Sequence, residues 1–384
     1  MGCIGSSSRV ATLPLEKNET EKETLLGAMV RLDNDIAKSE RMYSAQRVGV
    51  VSAELESIRQ ELKEFEGTQL PVGECYAKTM HQLFVTLDIY KCPMVAVENE
   101  DFIANVNRKE MRKIEFDLLR RRERELQREK NSLHIELSKL RSSYESLQEL
   151  LGSYVQSEDQ LEKSLHNKYE GARALRDSLG VISVRLLAAA EYLKAALRHL
   201  DVALPAWKLA SMGKSGIERT SSCSDACSCL TRARCDERCA RRVLAAYSAP
   251  RACREMRLAL DYAFTDTIHD HRYKKTTEIF HQFKDALVQF LNNIHQVLLN
   301  SIENLEDAEK NLTEYRNQLR SHRAKAILKM GLAELSYDPV NLKSLKKLLC
   351  AKALRVSDDF QALLVYRLLW AREEPQQLNY EEIY

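Results

Sequence analysis

Leu119, Leu126, Leu133, Leu140, Leu147, Tyr154 and Leu161 recur every seven residues, and the run misses no position. The positions four further on read Glu123, Lys130, Leu137, Tyr144, Leu151, Glu158 and Leu165. An α-helix turns every 3.6 residues, so a strict seven-residue repeat keeps one apolar seam facing a partner only when helices wind around each other. The seam is apolar in its middle and polar at Glu123, Lys130 and Glu158, which weakens packing there and pins register. The ladder predicts a long helix over about 102–178 that needs a helical partner.

A second ladder supplies a partner. Leu291, Leu298, Leu305, Leu312 and Leu319 keep the same spacing, with Leu287, Ile294, Ser301, Ala308, Tyr315 and His322 in the complementary set. They lie on a predicted helix over about 266–330. Neither helix meets a proline, because Pro93 to Pro205 and Pro250 to Pro339 are proline-free windows. The economical arrangement pairs the two ladders antiparallel within one chain, and a parallel homodimer of either ladder fits the heptads equally well.

Around these helices the chain divides by texture. Residues 1–14 form a short tether, and 15–92 an N-terminal helical region with Gly49 as its expected bend. Residues 93–340 hold the long-helix bundle. The Leu-rich and Ala-rich helix after Gly180 is expected to stop near Pro205, with Trp207 as a core plug. A Gly-, Ser-, Cys- and Arg-rich stretch, 211–247, interrupts the bundle as a loop. A C-terminal helical hairpin covers 341–372 and an acidic tail 373–384. The expected fold class is all-α: an elongated bundle with two long heptad-bearing helices, paired as an antiparallel coiled coil, plus short packing helices. Charged residues at 30 % and aromatics at 7 %, with only 12 Gly and 7 Pro, suit extended helices more than a sheet-based enzyme. The net charge of +2 implies no general attraction to nucleic acid.

No apolar run reaches the roughly 18 residues of a membrane-spanning helix, and the N-terminus has no apolar signal core. The chain opens Met-Gly-Cys-Ile-Gly-Ser, and Gly2 with Ser6 matches the N-myristoylation pattern. With Cys3 beside it, this start resembles that of Src-family kinases and other dually acylated proteins, which implies palmitate on Cys3. One myristoyl chain holds a membrane only marginally, so stable anchoring rests on the second. Basic support is absent, since Arg9 stands alone before Glu16, Glu19, Glu21 and Glu23. The ten cysteines are expected as reduced thiols.

Six of those cysteines crowd one stretch: Cys223, Cys227, Cys229, Cys235, Cys239 and Cys253. Cys223, Cys227, Cys235 and Cys239 are the candidates for a zinc site, although Cys-x-x-x-Cys spacing differs from the usual Cys-x-x-Cys knuckle. Arginines from Arg232 to Arg257 in the same region allow a second reading, as further palmitoylation beside anionic lipid. At the C-terminus Tyr380-Glu381-Glu382-Ile383, once phosphorylated, matches the ligand of Src-family Src-homology-2 domains. Gly213-Lys214-Ser215 lacks the upstream glycine of a phosphate-binding loop, and His269-Asp270-His271 lacks a second ligand cluster. No catalytic fingerprint is present, so neither a cofactor nor an enzymatic activity is expected.

The expected function is a membrane-anchored coiled-coil scaffold or adaptor on the cytosolic face. Its partners would be membrane lipids through the acyl chains and proteins through the coiled coil, a second copy of the chain included. The long helices also resemble the BAR family of membrane-shaping modules. That resemblance implies three long helices of comparable length with basic tips.

Overall fold

The computed structural model describes residues 24–65, 75–152, 160–244 and 252–329, and among these residues it is an all-α bundle. Thr24 caps α1 (Leu25–Glu40) by accepting from the Gly27 N–H. The chain then turns through Arg41–Tyr43, with Tyr43 in the left-handed region at φ 51°, and enters α2 (Ser44–Phe65). The break therefore falls at Tyr43, and Gly49, the expected bend, lies inside α2. Two short helices follow, α3 (Tyr76–Thr86) and α4 (Met94–Glu98).

Three long helices make the frame: α5 (Glu100–Gly152), α6 (Gln160–Met212) and α10 (Asp270–Lys329). At 1.5 Å per residue, the 53 residues of α5 reach about 80 Å. The single helix expected over 102–178 is thus two helices, and the second folds back along the first. Near the start of α5, Asn107 donates to the carbonyls of Leu260 and Asp261 just ahead of α10. At the far end of α5, Leu150 packs with Ile327. In α6 the order reverses: Glu162 pairs with Arg323, and Asp201 with Lys284. A straight helix would have carried Leu165, Tyr169 and Ala172 past the end of the bundle. Folded back, they pack against Leu312, Tyr315 and Leu319 of α10.

Both ladders are covered inside the chain, though not by each other. Leu119, Leu126 and Leu133 of α5 pack against Val51, Leu55, Ile58 and Leu62 of α2, which runs antiparallel to it. Leu147 and Leu150 meet Leu25, Met29 and Leu32 of α1. The second ladder belongs to α6: Leu298 joins the core that α6 fills with Leu193, Ala196 and Leu200. Ser183 and Ser301 bond across this seam at 2.8 Å, one polar notch in an apolar interface. Leu140 and Leu305 are half-buried, and Leu161 is 57 % exposed, outside the seam its spacing assigns it to.

Pro205 does not end α6, which runs on to Met212. A proline inside a helix forfeits one backbone bond, and the turn beyond it is held by Trp207. The Trp207 indole donates to Thr277 Oγ1 at 2.8 Å, stacks on Tyr273 and meets the Phe280 ring edge-on. The stretch expected as a loop is α7 (Gly216–Val243), lying along α6. Ser215 caps it by accepting from the Glu218 N–H, and Glu218 accepts from the Lys214 N–H, a capping box displaced by one residue. Thr220 and Ser224 bond back to the carbonyls four residues earlier, so their hydroxyls do not compete with the helix. Small residues at Ala226, Ala233 and Ala240 let it pack closely. Helices α8 (Ala252–Asp261) and α9 (Ala263–Asp266) close this end of the rod against α5 and α10. Among the described residues no helix is long and apolar enough to cross a membrane.

Candidate functional site

The apolar face of α1 reads Leu25, Met29, Leu32, Ile36, and the next position in that register is Glu40. Its carboxylate is buried with the helix end, and an isolated buried charge is costly enough to demand partners. Three other helices supply them. Arg316 Nη2 of α10 lies at 2.5 Å, Arg173 Nε of α6 at 3.2 Å and Arg176 Nη2 at 3.7 Å. The Tyr144 hydroxyl of α5 donates to the same carboxylate. Burial alone would raise the Glu40 pKa; Arg173, Arg316, the Tyr144 bond and Arg176 outweigh it, and the net shift is downward.

The guanidiniums are positioned in turn. Arg173 lies over the Tyr144 ring, Arg176 over Tyr43 and Arg316 over Tyr169, at 5.1–5.5 Å. Arg176 also reaches Asp177 at 2.7 Å, and Arg316 Nη2 donates to the Tyr169 hydroxyl at 2.9 Å. Seven residues before Glu40, on the same face of α1, Asp33 accepts from Arg320 Nε at 2.6 Å. Arg316 and Arg320 are four apart on α10, so both reach α1. Burial raises the Asp177 pKa against its arginine neighbours.

This cluster lines a cavity of about 970 Å³, a size that suits a small-molecule site. Met29, Ile36, Leu140, Leu147, Leu151 and Leu319 form its apolar walls. Sequence reading passed over Glu40, Arg173, Arg176 and Arg316. The available signal was a charge standing in the register of apolar positions, as Glu40 does after Ile36 and Arg176 does between Ala172 and Gly180.

The cysteine candidates occupy α7. Cys223 and Cys227 are one turn apart, as are Cys235 and Cys239, but the two pairs are separated by eight residues, about 12 Å of helix. One ion cannot bridge that distance. Burial pushes the thiols of Cys223, Cys235 and Cys239 up, Cys239 to about 12, so they stay protonated and poor ligands. Among the described residues no group of three or more His, Cys, Asp or Glu could hold a metal. Four of the neighbouring arginines are committed inside the fold: Arg234 and Arg238 to Glu115, Arg241 to Glu237, and Arg242 to Glu61. Arg232, Arg254 and Arg257 of the same stretch are exposed. Gly2, Cys3 and Tyr380 lie outside the described residues, as do the hairpin at 341–372 and the tail at 373–384. Comparison with protein-family models, with curated proteins and with solved structures finds no match to this chain.

Proposed function

We propose that this chain is a non-enzymatic helical scaffold or adaptor, held on the cytosolic face of a membrane by myristate on Gly2 and palmitate on Cys3. The observation that carries the reading is the clamping of α1. The helix that follows the acylation motif is tied into the bundle by Asp33 to Arg320 and by Glu40 to Arg173, Arg176 and Arg316. A lipid anchor ahead of it would therefore position a stiff rod instead of a loosely attached arm. Because α1, α2 and α6 already occupy the leucine seams, partners would be recruited on outer surfaces and not by opening the ladders. Membrane fractionation of the full-length protein beside Gly2→Ala and Cys3→Ser tests this. Wild type is expected to pellet with membrane and both variants to become soluble; a soluble wild type would overturn the anchor.

A second reading gains from one observation. Three helices of 53, 53 and 60 residues are comparable in length, as the BAR resemblance implies. Liposome tubulation by the acyl-free protein would favour a membrane-shaping role, and intact liposomes would leave the scaffold.

A further inference from the structure

The cavity beside Glu40 contains more donor capacity than the protein uses. Arg176 is 2 % exposed, lines the cavity, and its Nε–H finds no acceptor. Arg316 Nε, also against the cavity, makes no hydrogen bond, with Asp33 Oδ1 beyond hydrogen-bond reach at 3.7 Å. A buried donor left unmade costs free energy, so two of them at one void call for an acceptor from outside the chain. The charges agree. Arg173, Arg176, Arg316 and Arg320 face Asp33, Glu40 and Asp177: four cations against three anions in the buried part of the cluster. Glu170, the other carboxylate near Arg173, is 40 % exposed and screened by water, and Arg323 is matched by Glu162. With the 40 % exposed Glu170 set aside, the buried groups are one negative charge short, and the apolar walls are leucine, isoleucine and methionine.

We propose that this cavity binds a single-chain amphiphile with a monoanionic head, a fatty-acid carboxylate, its head on Arg176 and Arg316 and its chain along the apolar wall. A guanidinium presents forked donors that suit a carboxylate. A neutral alcohol of equal length would fill the apolar part and leave the excess charge unmatched. A dianionic phosphate head would exceed the single charge available.

The test is calorimetric titration of the full-length chain with dodecanoate, dodecyl phosphate and dodecanol, each below its aggregation concentration. Dodecanoate is expected to bind saturably at one per chain, and dodecanol at least about tenfold more weakly. Tighter binding of dodecyl phosphate would overturn the carboxylate assignment. Arg176→Gln and Arg316→Gln are each expected to weaken dodecanoate about tenfold, while the exposed Arg232→Gln leaves it unchanged. Unchanged binding in both cavity variants would overturn the site. Should those variants fail to fold, hydrogen exchange on the unmutated chain decides. Dodecanoate is expected to protect backbone amides in 29–40 and 173–181; protection only elsewhere, or none, overturns the proposal.

Discussion

Tyr43 sits against Gly180. A Cβ built on that glycine would stand 2.8 Å from both Cδ1 and Cε1 of the Tyr43 ring, closer than real contacts allow. The ring cannot easily retreat. Its hydroxyl donates to Glu309 at 2.6 Å, Arg176 lies over its face, and its backbone holds the left-handed turn between α1 and α2. The absence of a side chain at 180 is thus what lets the chain bend from α1 into α2 against α6. Gly180→Ala is expected to destabilise by about 1–3 kcal/mol, as overpacking does, although alanine is the better helix former. In a Tyr43→Ala background the same change should be neutral or stabilising. Thermal denaturation of the four proteins checks this, and a penalty that survives Tyr43→Ala would refute the contact.

Glu40 is shared by three guanidiniums, and its loss leaves buried cations without compensation. Glu40→Gln is expected to cost about 3–5 kcal/mol, far more than an exposed ion pair such as Arg141 with Glu145. Its folded pKa is depressed below the unfolded value, so its stabilisation is present above the unfolded pKa and is lost as pH falls through the folded one. Wild type should therefore lose its advantage over Glu40→Gln on acidification below about pH 4. Urea melts at pH 7 and pH 3 would show it; an equal gap at both would refute the assignment.

Asp236 carries the opposite sign. Burial holds its pKa up at about 6, ahead of any relief from Arg122, Arg198 and Arg232. Its nearest basic neighbour, His199 at 3.6 Å, has its own pKa lowered, chiefly by burial, and offers little charge at neutral pH. A folded pKa above the unfolded one means stability that is present at low pH and lost as pH rises through about 6. Asp236→Asn is expected to stabilise by about 1–3 kcal/mol at pH 8, an advantage that shrinks steadily between pH 6 and pH 4. Calorimetric scans across that range test it, and a destabilised variant at pH 8 would overturn the reading.

Thiol reactivity separates the cysteines by place. Cys75 and Cys92 are exposed, whereas Cys223, Cys227, Cys235 and Cys239 are buried along α7. Maleimide should label the first two within minutes in the native protein and the four on α7 only on unfolding. Peptide mass spectrometry reads the sites. Fast labelling of Cys235 or Cys239 would restore them as candidates for acylation.

The helical class was legible because seven-residue spacing leaves few alternatives, but a heptad names a seam without naming its partner. The reversal between α5 and α6 escaped notice for a physical reason. Gly152 and Gln160 leave seven residues between the two helices, one full heptad, so the repeat runs through in phase. Cys, Ser and Arg disguised α7 as a loop. Its signal was the Ser215–Glu218 cap followed by Cys223, Cys227, Leu230, Ala233 and Ala240 at helical spacing. The Glu40 cluster was least visible, because its members come from four helices and share no local motif.

Equal spacing in the ladder also hides unequal energetics, and this can be measured. Leu126 is fully buried between Leu55, Ile58 and their neighbours, while Leu161, five heptads later in the same register, is 57 % exposed. Removing three carbons from a filled seam forfeits their transfer energy and opens a cavity, so Leu126→Ala should cost about 2–5 kcal/mol. At Leu161 water already covers most of the side chain, and Leu161→Ala should stay within about 0.5 kcal/mol. Urea midpoints at constant m-value distinguish the two. Equal losses would mean that both leucines face a partner. The ladder would then have to close against a second chain along its whole length, instead of against α1 and α2.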